Sequence, residues 1–153
     1  MTLQSFLDDN RIHYRFCRHK PAYTAQELAS VEHVSGKRVI KPVVVRADGK
    51  FYMCALPACY RVDLGELRDQ LMADEVEVVD ELQLRQRFGD CDLGAAPPIG
   101  WLYGMTTLLD ESLVHGDRVM FQAGTHVDAV EMSLADYRRV TQAEMAHFAV
   151  MNA

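Results

Sequence analysis

"SGKRVIKPVVVRADGKFYM", residues 35–53, is the stretch whose reading decides the fold. The run from Arg38 to Val45 reads as one strand, "ADGK" at residues 47–50 as a turn, and "FYMCALP" from Phe51 as a second strand. Asp48-Gly49 between two apolar runs is a strong hairpin signal. An oddity stands inside it. Lys41 and Pro42 precede Val43, Val44 and Val45, putting an ammonium group and a missing N–H at the head of a segment made for a sheet. A strand-end lysine with its head in solvent is one reading, and a cleft lysine is the other.

Working outward, "TAQELASVEHV" begins with Thr24 as N-cap and Glu27 three residues on, a capping box that predicts a helix over Ala25–Val34, ending at Gly36. Leu3, Phe6 and Leu7 share one face of a short helix over residues 2–10, and residues 12–17 alternate as a strand. Downstream, residues 62–72 carry Leu64, Leu67 and Leu71 at helical spacing; "VEVVD" reads as a short strand, and "DELQLRQRFG" as a helix stopped by Gly89.

Residues 90–105, "DCDLGAAPPIGWLYGM", are too rich in glycine and proline for continuous helix or strand and predict a structured loop. Beyond them come a strand and turn in "TTLLDESLV", a strand in "RVMFQAG", a turn at Gly124–His126 and a strand in "DAVEMS". A last helix follows in "SLADYRRVTQ", with Ser133 as N-cap and Asp136 in its first turn. Helices and strands are interspersed, yet most strand connections read as hairpins. The expected class is therefore α+β with a mixed, largely antiparallel sheet.

At 153 residues the chain suits one domain that buries roughly two thirds of the surface its unfolded form exposes. No apolar run approaches the roughly 20 residues of a membrane span, and the N-terminus carries acids where a signal peptide carries bases. The chain reads as cytosolic. Cys17, Cys54, Cys59 and Cys91 have no CxxC spacing, so they read as reduced structural residues.

The net charge of -6 argues against broad wrapping of a nucleic-acid backbone but leaves room for one local basic site. "RIHYRFCRHK", residues 11–20, gathers Arg11, Arg15, Arg18 and Lys20; it reads either as a phosphate-meeting surface or as the solvated face of a strand, and the alternation favours the second.

There is no GxxxxGK[ST], GxGxxG or GxSxG, and His126 with Asp128 lacks the HxH or HExxH company of a metal site. No cofactor or metal is expected. Three features are left to carry chemistry: Lys41, the loop "DCDLGAAPPIG", and "AGTHVD". Taken singly, each has a plain structural reading, as a strand end, a turn and a hairpin whose histidine caps a turn.

Together they resemble the YbaK/ProX family of aminoacyl-tRNA deacylases, which includes the editing domain inserted in bacterial prolyl-tRNA synthetases. The resemblance rests on "TAQELA", "VIKPVVVRADG", the Gly-x-x-x-Pro loop at Gly94–Pro98 and "FQAGTHVDAVEMSLADYRRV", in the family's order and spacing over almost the whole chain. It implies a single editing domain over residues 1–153, with a partly barrel-like sheet.

It also implies hydrolysis in trans of the ester joining an amino acid to the 3′ acceptor end of a mischarged tRNA, with a small residue such as Ala, or Cys, as the acyl group and a synthetase as a further partner. Carried over, Lys41 and His126 are the catalytic candidates, and Gly94, Ala95, Pro98, Gly124 and Thr125 the substrate-binding ones. Glycine at 94 and 124 would bring backbone N–H groups to a carbonyl oxygen. Alanine and proline from "GAAPPIG" would bound a small cavity.

One departure is Pro42, where family members often carry Asn or Thr. It removes a side-chain donor and a backbone N–H, so the substrate preference of no particular member transfers. A different class, a non-catalytic module holding a small metabolite or an aminoacyl-tRNA end, uses the same residues without cleaving anything. A general nucleic-acid binder is disfavoured by the acidic balance.

Overall fold

In the computed structural model, which describes residues 2–89 and 91–152, local signals start most elements where the sequence places them. Thr2 caps α1 (Leu3–Asp9) in a reciprocal box with Ser5, and β1 (Tyr14–Arg18) follows. Thr24 caps α2 (Ala25–Val31) by accepting from Glu27 N, but this helix is shorter than expected, because Glu32 closes it and His33 turns to positive φ. The hairpin pairs β2 (Ile40–Ala47) with β3 (Lys50–Pro57) in unbroken antiparallel register from Ile40↔Pro57 to Ala47↔Lys50. Asp48 and Gly49 both take positive φ, as a two-residue turn of this hand requires.

Next come β4 (Tyr60–Val62), α3 (Leu64–Leu71) and β5 (Val76–Val78). The helix expected from Glu81 to Phe88 is split into a 3-10 turn (Glu81–Leu84) and the single-turn α4 (Arg85–Phe88), with Leu84 at φ -105° and ψ 13° between them. Residues 91–105 form the expected loop, with a 3-10 turn at Gly100–Tyr103. Then β6 (Thr106–Asp110), β7 (Arg118–Gln122), β8 (Asp128–Ser133) and α5 (Leu134–Thr141) match their sequence signals. Three short strands had none: β4, β9 (Glu144–Ala146) and β10 (Ala149–Met151).

The class is α+β with mixed, largely antiparallel sheets. A five-stranded sheet runs β5-β2-β3-β6-β9, in which β3–β6 and β6–β9 are parallel. A three-stranded antiparallel sheet runs β1-β8-β7, and β4 pairs with β10. The two larger sheets touch through a bridge between Val39 and Met120, and no closed barrel forms among the described residues.

Alternation along the strands fixes the layers. Phe121, Val130 and Met132 of the small sheet face Ile40, Ala55 and Leu109 of the large one, with Phe6, Leu7, Tyr137 and Val140 closing the ends of this core. The opposite face of the large sheet (Val45, Cys54, Leu56, Leu108) is covered by Leu67 and Phe148. The outer face of the small sheet (Met120, Ala129) is covered by Ala25, Leu28 and Ala29 of α2. Each large side chain in these layers contributes about 1.5–3 kcal/mol of burial. Pro42 is tolerated because β5 reaches β2 only at Val45–Ala47, so at Pro42 the strand has a ladder partner on one side, Ala55.

Candidate active site

The 91–95 loop and the β7–β8 turn brace each other. Asp92 N–H donates to Gly124 O (2.8 Å), Gly124 N–H to Ala95 O (2.8 Å), and His126 N–H to an oxygen of the Asp92 carboxylate (3.1 Å). The His126 ring lies with Nε2 2.6 Å from Leu93 O and its face 4.7 Å, centroid to centroid, from an edge-on Tyr23. Since a carbonyl only accepts, Nε2 carries the hydrogen, which leaves Nδ1 as the basic position of the neutral ring. Nδ1 sits 3.8 Å from Asp92, close enough for an ion pair once it is protonated.

Gly94 and Gly124 have φ of +81° and +98°, and a Cβ at Gly94 would stand 2.9 Å from Tyr23 O. Glycine is required at 94 for that approach. The amides themselves are engaged within the protein: Gly94 N–H donates to Glu81 (2.7 Å), Gly124 N–H to Ala95, and Ala95 N–H to Asp92 O. What these glycines supply is conformation rather than open donors. Thr125 differs. Its hydroxyl donates to Asp128 (2.7 Å), and its N–H meets no acceptor among the described residues.

Ala95 and Pro98 face inward. Both are buried, and the Pro98 carbonyl accepts from the wholly buried Tyr137 hydroxyl, whose pKa burial pushes up. The cavity beside the turn is instead walled by Pro97, with Cys91, Tyr103, Ala123, Gly124 and Thr125; at about 430 Å³ it falls in the range of small-molecule sites.

Lys41 is held elsewhere. It shares a face of β2 with Val43 and Val45, whereas Ala96 packs with Val44 and Met53 on the other face. Its ammonium donates to Ala58 O (3.2 Å), an oxygen that also accepts from Gln26 of α2 (3.1 Å). Half-burial lowers the Lys41 pKa, and the neighbouring Cys59 opposes that shift. The structure thus gathers Gly94, Ala95, Gly124, Thr125 and His126 into one braced cluster, and the start of α2 connects it to Lys41, with Tyr23 just before the cap and Gln26 in the first turn.

Other groups have quieter roles. Burial pushes the Cys54 thiol up to about 12, and Cys17 rises for the same reason, so neither is an activated nucleophile. Among the described residues no three His, Cys, Asp or Glu side chains converge as a metal site, and no helix is long and apolar enough to cross a membrane.

Residues 19–140, which include every candidate site residue from Lys41 to His126, match the model of the aminoacyl-tRNA editing domain. The chain belongs to that family. No curated protein gives a significant match. Among solved structures, the editing domain resembles hypothetical protein APE2540 at a TM-score of 0.85 and 18% identity, over 97% of this chain and 99% of that one. It resembles a candidate trans-editing enzyme for prolyl tRNA synthetase at 0.80 and 19%, over 99% and 95%. A candidate signal transduction protein from Marinobacter aquaeolei VT8 aligns at 0.75 and 21%, over 97% of this chain but 30% of its own. At these identities the likeness is one of fold.

Membership gives the chain its general chemistry, deacylation of aminoacyl-tRNA. Tyr23, Asp92 and Glu81 contact the named residues directly and Gln26 shares the Ala58 carbonyl with Lys41; Asp92 and Gln26 lie inside "DCDLGAAPPIG" and "TAQELA", whereas Tyr23 and Glu81 stand outside both. The available signal was weak: Tyr23 is an aromatic residue just ahead of a helix cap, and it is 57% exposed.

Proposed function

We propose that this chain is a stand-alone deacylase that hydrolyses mischarged tRNA in trans, in the cytoplasm, alone or beside a synthetase, with a small acyl group such as alanyl or cysteinyl. The observation that carries the reading is the four-bond brace between residues 92–95 and 124–126, which fixes His126 next in sequence to the unengaged Thr125 amide in an editing-family chain.

An aminoacyl ester is already activated, so positioning and charge stabilisation suffice. Water adds to the ester carbonyl carbon; the carbonyl oxygen gains negative charge, which the Thr125 N–H meets. The C–O bond to the ribose then breaks and the ribose oxygen takes a proton, leaving a free amino acid and a tRNA with its terminal hydroxyl restored. Nδ1 of His126 orients the water.

Lys41 has three ammonium hydrogens, one of them on Ala58 O, and directs the others to a phosphate or to the ester oxygen. The cavity at Pro97, Cys91 and Thr125 receives the amino acid. It has room for more than an alanyl methyl, so selection against larger acyl groups comes from how deeply Pro97 lets them enter.

The test is a deacylation assay over a panel of mischarged tRNAs with wild type and Lys41→Ala side by side. The expected result is turnover of Ala or Cys esters by wild type and its loss in the variant. A wild type that binds these tRNAs but cleaves none of them is the non-catalytic module instead.

A further inference from the structure

Away from the braced loops, three arginines converge on one acid. Arg15 of β1 and Arg118 of β7 place Nε 3.4 and 3.5 Å from Glu131 Oε1, and Arg38 places Nη2 3.9 Å from Oε2. Strand register builds the group. Arg15 lies directly opposite Glu131 of β8, Arg118 opposite Ser133 on the same face, and Arg38 is locked alongside by Met120 N–H donating to its carbonyl and by its own Nε donating to Arg118 O. The Glu131 side chain is 15% exposed, while the guanidiniums are 58%, 45% and 43% exposed for Arg15, Arg118 and Arg38.

Stability does not account for this arrangement, since pairs this long and this exposed contribute little and the cations repel one another. Elsewhere on the surface Arg18, Arg46 and Arg139 each pair with a single acid, Asp128, Glu77 and Asp136. Here three guanidiniums share Glu131, with Glu32 acting on Arg15 as well, so positive charge is left over on a chain whose net charge is -6. Arg15 and Arg118 approach Glu131 through Nε, and among the described residues no hydrogen bond engages their Nη ends. Forks held by their stems and open at their tips are suited to phosphate, which takes two parallel N–H bonds.

The position fits one particular phosphate. Helix α2 lies on the same sheet face, with Tyr23 and His126 at its start and its closing residue Glu32 near Arg15. Seven residues at 1.5 Å each separate the two ends by about 10 Å. We infer that the Arg15–Arg38–Arg118 cluster binds the phosphate backbone of the unpaired 3′ strand that joins the acceptor stem to the terminal adenosine at His126, with Glu131 fixing the three forks in advance. This rests on the deacylase reading and adds the surface that engages the rest of the RNA.

A synthetic acceptor-stem minihelix ending in CCA, followed by fluorescence anisotropy across a salt series, tests it. Arg15→Ala/Arg118→Ala should weaken binding about tenfold at low salt and flatten the log Kd against log salt slope by about 2. Glu131→Gln should tighten binding, an opposite sign that general damage to the sheet would not produce. Arg139→Ala, on the helix behind the sheet, should change neither. Affinity and slope unchanged in the double variant overturn the assignment, and a variant impaired only in binding a synthetase overturns it in favour of a protein partner.

Hydrolysis of aminoacyl-adenosine separates this from the deacylase reading. A wild type that cleaves no ester yet binds the minihelix through the arginines loses the activity and keeps the surface. Normal cleavage with binding indifferent to the arginines does the reverse.

Discussion

The glycine loops and the head of β2 carry the two halves of the proposed chemistry, and they are built on opposite plans. In the loops nearly every polar group is already matched: Asp92, Gly94, Ala95, Gly124 and His126 all donate their amides within the protein, and the Asp92 and Glu81 carboxylates receive two of them. At Lys41 a single carbonyl holds a half-buried cation, and Gln26 can satisfy that carbonyl alone. A saturated network supplies shape, while a sparsely held ammonium supplies charge that a substrate can claim. Mutation should therefore separate stability from activity differently in the two regions.

Lys41→Ala should produce the largest effect on turnover, about a hundredfold in kcat/KM, equivalent to roughly 3 kcal/mol. Its melting temperature should hardly move, because Ala58 O keeps Gln26. A Tm that falls in step with activity would show that the lysine is a structural residue and erase the contrast.

Gly94→Ala should do what Lys41→Ala does not. Positive φ and a Cβ 2.9 Å from the Tyr23 carbonyl oppose the substitution, at about 2 kcal/mol of stability, and activity should drop because Tyr23 and His126 are displaced with the loop. Chemical denaturation and deacylation measured on one preparation check both.

Tyr137→Phe sharpens the same side. It removes the hydroxyl that satisfies the buried Pro98 carbonyl, so stability should fall by about 1–2 kcal/mol, with turnover by the folded fraction close to wild type. A kcat loss beyond the unfolded fraction would extend the catalytic site to Pro98.

The smallest effect is on pH. Burial lowers the Lys41 pKa from its ordinary 10.5, so activity that needs the ammonium should fall on an alkaline limb lying below that value, after correction for spontaneous ester hydrolysis. Between the two pKa values the unfolded chain holds a proton that the folded one has released, so stability contributed by this group rises with pH while activity declines. Activity that climbs through this range would make Lys41 a base rather than a charge.

Local signals made much of this protein legible in its sequence. Thr24 and Ser133 cap their helices, Asp48-Gly49 turns its hairpin, and glycine and proline keep residues 91–105 irregular, because each acts on neighbours within a few positions. Expecting Lys41, Gly94 and His126 to act together rests on a resemblance covering almost the whole chain, since no local rule relates residues more than 30 positions apart.

Tertiary structure decided the remainder. β9 adds in parallel to β6 and β10 pairs with β4 although the last ten residues carry no clear period, because the partner strand supplies the ladder. The segment after Asp80 leaves the helical region at Leu84, and the Glu81 carboxylate accepts from Gly94, thirteen positions away. Register alone brings Arg15 and Arg118 onto Glu131, more than a hundred residues from Arg15. Composition and spacing fixed which residues were available, whereas long-range pairing fixed which donors are already engaged and which remain open to a substrate.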